Sequence, residues 1–133
     1  MNKELLSKLT ILYVEDQVDI KNFTSDILKS FTKEVFTAKD GLEGLELFKS
    51  KKDKIDIIIT DINMPNLTGK ELMYHKENYE KRNSKTPFLA LTANSSKEDV
   101  EGYYKLGFSG FIPKPFTSTQ FTDVLNKVLK DLQ

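Results

Sequence analysis

Glu15, Asp16, Asp61, Thr92 and Lys114 are the side chains of this chain that could act together chemically. Each directly follows, or closely follows, a short apolar run. Glu15-Asp16 follow Leu9–Val14, Asp61 follows Ile55–Thr60, Thr92-Ala93-Asn94 follow Pro87–Leu91, and Pro113-Lys114-Pro115 follow Gly110–Ile112. A carboxylate at the mouth of a buried strand is costly without a partner. Three acids brought together repel, and their ionisation is suppressed unless a cation joins them. Oxygen ligands with no His or Cys favour a hard ion such as Mg²⁺, which takes one or two carboxylates and shares its other positions with water and phosphate oxygens. A threonine and a lysine suit the remaining oxygens of a phosphoryl group. An aspartate can itself be the nucleophile that forms an acyl phosphate. Phosphoryl transfer asks for little beyond alignment and charge neutralisation. The set is therefore chemically complete for moving a phosphoryl group onto an aspartate.

The elements that must position these residues alternate along the chain. Strand-like runs at Leu9–Val14, Glu34–Ala38, Ile55–Thr60, Pro87–Leu91 and Gly110–Ile112 are too short for stable helices. Several are almost wholly apolar, as expected of parallel strands covered on both faces. Between them, Ile20, Phe23, Ile27, Leu28 and Phe31 share a helical face, as do Leu42, Leu45 and Phe48. Phe121, Val124, Leu125, Val128, Leu129 and Leu132 give the clearest helical period. Asp40 and Thr117 are predicted N-caps, and Gly107 ends the pattern holding Val100, Tyr103 and Tyr104. Gly69–Asn83 is the least periodic of the five predicted helices. Five strands alternating with five helices predict βαβ units, hence one doubly wound parallel α/β sheet. Ligands of such sheets bind outside the carboxyl ends of the strands. The second strand ends in Ala38-Lys39-Asp40 and stays out of the cluster if it lies at an edge.

Bulk properties narrow the alternatives. The chain has 133 residues, 38% hydrophobic and 30% charged, which suits one globular domain. Lys plus Arg and Asp plus Glu both number 20, so no basic excess points to direct nucleic-acid or membrane-surface binding. The lack of cysteine excludes disulfides and thiolate metal sites and agrees with a cytoplasmic location. No apolar run approaches the roughly 20 residues of a membrane span.

With these motifs in place, the sequence resembles the receiver domain of two-component response regulators, the CheY-like family. The resemblance runs from about residue 9 to about 132 and makes residues 1–133 a single receiver domain. It rests on Ile11-Leu-Tyr-Val-Glu15-Asp16, Asp61-Ile-Asn-Met-Pro65 with Gly69, Leu91-Thr92-Ala93, and Gly107-Phe-Ser-Gly110-Phe111-Ile-Pro-Lys114-Pro115-Phe116. Each motif alone is weak, but four in the right order, each after a predicted strand, are specific. The resemblance implies a flavodoxin-like sheet of order 2-1-3-4-5. It makes Asp61 the phosphoacceptor and Asp16 a direct Mg²⁺ ligand, with the Asn63 backbone carbonyl a further ligand and Glu15 assisting through water. Thr92 would hydrogen-bond the attached phosphoryl group, and Lys114 would contact it and pair with Asp61 beforehand. Phe111 would be the aromatic switch, and the Lys114–Pro115 peptide is expected to be cis. The implied partners are a histidine kinase or phosphotransfer protein and a downstream protein target. The target would read the face made by the fourth helix, fifth strand and fifth helix. The domain would be a signalling switch and not an enzyme, assisting only its own phosphorylation and dephosphorylation.

Three features depart from the common family pattern. Phe111 stands where many members carry tyrosine. Asn63 and Asn94 form a neutral pair at positions that tune dephosphorylation. The segment after Gly107 lacks the acidic residues of members that dimerise through their last helices, so a monomer is expected.

Taken singly, each residue has a plainer explanation. Glu15-Asp16 could cap a helix, Asp61 could be a turn residue, Thr92 a cap and Lys114 a solvated loop lysine. Their shared placement after strands favours the joint reading. His75 falls in a polar segment and receives no role. A dehalogenase-type phosphatase would need a second acid at position 63. A flavodoxin-type cofactor site would need a Ser/Thr/Gly-rich loop in place of the acidic Glu15-Asp16. A degenerate receiver that only binds proteins is the nearer rival, and a receiver excised from a hybrid histidine kinase is a further possibility.

Overall fold

A computed structural model describes residues 3–51, 53–62, 71, 86–93, 96–114 and 116–132. Five parallel strands form one sheet: β1 (Thr10–Val14), β2 (Glu34–Ala38), β3 (Ile57–Asp61), β4 (Phe88–Thr92) and β5 (Gly110–Pro113). Their order is β2-β1-β3-β4-β5, as expected. The described helices are α1 (Lys3–Leu6), α2 (Val18–Lys29), α3 (Gly41–Lys51), α4 (Lys97–Leu106) and α5 (Ser118–Leu132). Apart from Glu71, the predicted helix over Gly69–Asn83, with His75 in it, lies outside the described residues.

The apolar runs are explained by the two-residue period of a strand. On β1, Leu12 and Val14 enter one cluster while Ile11 and Tyr13 enter the other. On β3, Ile58 faces the first cluster, and Ile57 and Ile59 the second. On β4, Phe88 and Ala90 oppose Leu89 and Leu91 in the same way. Phe48 of α3 and Tyr103 of α4 close the first face. Leu28 of α2 and Phe121, Leu125, Val128 and Leu129 of α5 close the second. Each fully buried Ile, Leu or Phe contributes roughly 1.5–3 kcal/mol relative to exposure, so both layers are needed.

The helices refine the predicted faces. Helix α5 buries Phe121, Leu125, Val128 and Leu129 of the anticipated stripe, with Phe121 and Leu125 wholly inaccessible. Helix α2 instead rests on the protein through Thr24, Ser25 and Leu28, whereas Phe23 is 65% exposed. Small side chains at the contact let the helix lie close to the sheet and rotate Phe23 outward. Helix α3 likewise buries Gly41, Gly44 and Phe48, which leaves Leu42 exposed and Leu45 partly buried.

Caps set the helix starts. The Asp40 carboxylate accepts from the Glu43 backbone N–H at 2.9 Å. Thr117 and Gln120 form a reciprocal capping box, with contacts of 2.8 and 3.2 Å. Ser96 caps α4 by accepting from the Asp99 N–H. The short α1 was not anticipated, since one helical turn carries no periodic signal. It places Leu6 at 0% exposure in the second cluster, so the core extends beyond the predicted start at residue 9.

Helix α4 ends at Gly107, whose φ of 107° lies in the left-handed region. A side chain there is strained by about 1–2 kcal/mol. Gly107→Ala should therefore lower the urea midpoint of unfolding by a corresponding amount, and an unchanged midpoint would refute this role.

Candidate functional site

Parallel pairing brings the strand ends level. Val14 pairs with Thr60, Asp61 with Leu91, and Thr92 with Pro113. Residues just beyond these pairs consequently meet on the carboxyl edge. Asp61 is the last residue of β3, one position further than the sequence predicts for the strand. Its carboxylate is thus anchored to the ladder and not to a loop.

The predicted charged residues converge. One carboxylate oxygen from each of Glu15, Asp16 and Asp61 lies within 4.8 Å of the others. The Lys114 ammonium donates to Asp61 Oδ2 at 3.1 Å and to Glu15 Oε1 at 3.5 Å. The Lys114 backbone N–H donates to the Thr92 carbonyl at 2.9 Å, which fastens the lysine's stem to the end of β4. Glu15 is fully buried, Asp61 is 9% exposed and Asp16 is partly exposed. The acid nearest solvent is therefore the one expected to bind a metal directly. An all-oxygen donor set of this kind suits a hard divalent cation.

Burial is the main influence on Glu15. It raises the carboxyl from its usual 4.5 to about 7, the Asp61 charge pushes in the same direction, and Lys114 opposes both. Glu15 accepts hydrogen bonds from the Tyr13 hydroxyl at 3.4 Å and the Gln17 N–H at 3.3 Å. The Tyr13 hydroxyl is itself held well above its ordinary range, first by burial and further by the Glu15 and Asp61 charges.

Thr92 reaches the same edge at 3% exposure, and its hydroxyl lies 3.0 Å from the Tyr103 hydroxyl of α4. Phe111 is half-buried and packs against the first core cluster. Asn63, Asn94 and Pro115, and with them the Asn63 carbonyl and the Lys114–Pro115 peptide, lie outside the described residues.

Sequence reasoning missed two neighbours. Tyr13 could have been found, because two residues along a strand share a face and Glu15 continues the direction of β1. Tyr103 had no such signal. The sequence places it beside Tyr104 in one helical pattern, and packing alone chose it over Tyr104, which is 48% exposed. The structure also forms a groove of about 570 Å³ beside Lys114, lined by Ile20, Phe23, Ala93 and Phe116 among others.

This arrangement agrees with comparisons to known proteins. Residues 11–126 match the response regulator receiver domain. The chain is 33% identical to the transcription factor prr1 of Schizosaccharomyces pombe over 92% of its own length and 22% of that protein. It is 36% identical to the uncharacterized transcriptional regulatory protein YrkP of Bacillus subtilis, over 83% of this chain and 45% of that one. The chain thus spans less than half the length of either relative. Among solved structures, the chemotaxis protein CheY4 of Vibrio cholerae superposes with a TM-score of 0.80 at 33% identity, covering 91% of this chain and 98% of that one. The chain belongs to the response regulator receiver family of two-component signalling proteins.

The Glu15 carboxyl gives the site a pH signature. A folded-state value above the unfolded one means that the native protein holds a proton the unfolded chain releases. Stability contributed this way is complete below about 4.5 and declines as pH rises toward 7. In metal-free buffer, Glu15→Gln should match wild type below that window. Above it the variant should melt at higher temperature, by an effect on the order of 1–3 kcal/mol. A wild-type pH slope in the variant would show that Glu15 does not carry the titration.

Proposed function

We propose that this chain accepts a phosphoryl group from a phosphohistidine donor onto Asp61. The observation that carries the reading is the Lys114 ammonium 3.1 Å from Asp61 Oδ2, with the Glu15 and Asp16 carboxylates gathered beside it. An Asp61 oxygen attacks phosphorus in line, and the phosphorus–nitrogen bond breaks. Its electron pair passes to the donor imidazole, which leaves as the neutral base once protonated. Asp16, Asp61 and the Asn63 carbonyl would hold Mg²⁺, with Glu15 assisting through water. When bound, Mg²⁺ neutralises charge on the phosphoryl oxygens. Lys114 supports this by exchanging its ion pair with Asp61 for a phosphoryl oxygen.

The new group adds roughly 1.5 to 2 negative charges. Thr92 turns its hydroxyl to the new oxygens, and Phe111 moves into the space this opens. The modification then shifts a two-state population. The face made by α4, β5 and α5 is read by a downstream protein. A groove of about 320 Å³ on that face includes Tyr104, Phe111, Gln120 and Lys127. The donor domain approaches over α2, where Phe23 is 65% exposed in a groove that also includes Lys114, the ion-pair partner of Asp61.

Incubation with acetyl phosphate and Mg²⁺ should add a phosphate-sized mass to wild type. Asp61→Asn, or chelation of the metal, should abolish the gain. Equal labelling of Asp61→Asn would displace the assignment. Phe23→Asp separates docking from chemistry. Transfer from a phosphohistidine domain should slow by about tenfold or more, the scale of a buried apolar interface anchor, while labelling by acetyl phosphate stays unchanged. Equal slowing of both would place Phe23 in the chemistry or the fold instead.

A further inference from the structure

The Thr92 hydroxyl meets a tyrosine from a helix and not from the neighbouring strand. Thr92 Oγ1 and the Tyr103 hydroxyl are 3.0 Å apart, and both residues are buried, at 3% and 6% exposure. The bond spans from the end of β4 to the middle of α4. The Tyr103 ring is held edge-on against Phe108, with centroids 6.3 Å apart, and Phe108 is edge-on to Phe88 at 5.2 Å. That aromatic row is part of the first core cluster, so the phenol cannot follow a moving partner without disturbing the packing. On β5, Phe111 packs against the same cluster but has no hydroxyl to offer.

Threonine is β-branched and occupies a small set of χ1 wells. A phosphoryl group on Asp61 that drew Oγ1 into another well would pull it out of hydrogen-bond range of the Tyr103 hydroxyl.

We infer that Tyr103 is a positioning residue that latches Thr92, and with it the end of β4, to helix α4 in the unphosphorylated state. This rests on the reading of Asp61 as phosphoacceptor. Phosphorylation draws Thr92 away, breaks the latch and releases α4, so the helix itself registers the state of Asp61. The latch opposes activation by as much as the buried bond contributes. A tyrosine that merely fills the core would contribute to stability without biasing the switch.

The test uses the full chain with beryllium trifluoride and Mg²⁺ as a non-hydrolysed phosphoryl analogue, followed by amide NMR. Tyr103→Phe keeps the ring and the packing. It should bind the analogue about threefold to tenfold more tightly than wild type, the scale of one neutral buried hydrogen bond. Without analogue, the α4 amides of Tyr103→Phe, Val100 and Lys105 among them, should already be displaced toward their positions in saturated wild type. Glu101→Gln, altered at an exposed position of the same helix, should do neither. Unchanged or weaker binding by Tyr103→Phe overturns the latch, as does an equal effect in Glu101→Gln. Wild type that binds no analogue at all removes the phosphoacceptor reading and the latch together. Wild type that binds, with Tyr103→Phe no tighter, overturns the latch alone.

Discussion

Three carboxylates and one ammonium share the carboxyl edge of the sheet, and the charge balance among them constrains the rest of the structure. Glu15 is entirely shielded from water, so its charge must be neutralised by a proton or a cation. Lys114 supplies part of that balance through contacts to Glu15 and Asp61. The shortfall is visible in the raised Glu15 carboxyl. An all-oxygen cluster left short of positive charge in this way suits a hard divalent cation.

Such a cluster can persist only on a rigid support. Beneath it, β1, β3 and β4 are covered on both sides, and each alternates its side chains between two apolar layers. A slip of one residue in any of these strands would exchange the two layers, so the register is strongly specified. That register sets Val14 level with Thr60, Asp61 level with Leu91 and Thr92 level with Pro113, so successive strand ends step along the same edge. The packing that stabilises the fold and the placement of the chemistry are one constraint. The helices are less tightly bound to it. Helix α2 touches the core through small residues and leaves Phe23 outside, which gives the mouth of the site an apolar flank.

Much of this was legible from residue order. Strand positions shifted by no more than two residues, because a short apolar run bounded by polar residues has few ways to be misread. The caps at Asp40 and Thr117 and the stop at Gly107 follow from local chemistry within one helical turn. The joint placement of Glu15, Asp16, Asp61, Thr92 and Lys114 was readable because each lies at, or one or two residues beyond, a strand end, and parallel strands align their ends. Helix faces were less legible. Ile20, Phe23 and Leu28 share a helical period, but period alone does not say which edge of an apolar stripe meets the sheet, nor that Thr24 and Ser25 would form the contact.

The sequence by itself determined the elements, their alternation and the set of chemically capable residues at the strand ends, because these depend on periodicity and near-neighbour chemistry. Tertiary structure alone decided that Tyr103 and not Tyr104 turns inward to meet Thr92, that Phe23 faces out, and that Leu6 joins the core. Those choices depend on which surfaces approach one another across the sheet, a property of three-dimensional packing with no local trace along the chain. Asp61 belongs to both. Its position at the end of an apolar strand is written in the sequence, while its ion pair to a lysine 53 residues away exists only once the sheet has formed.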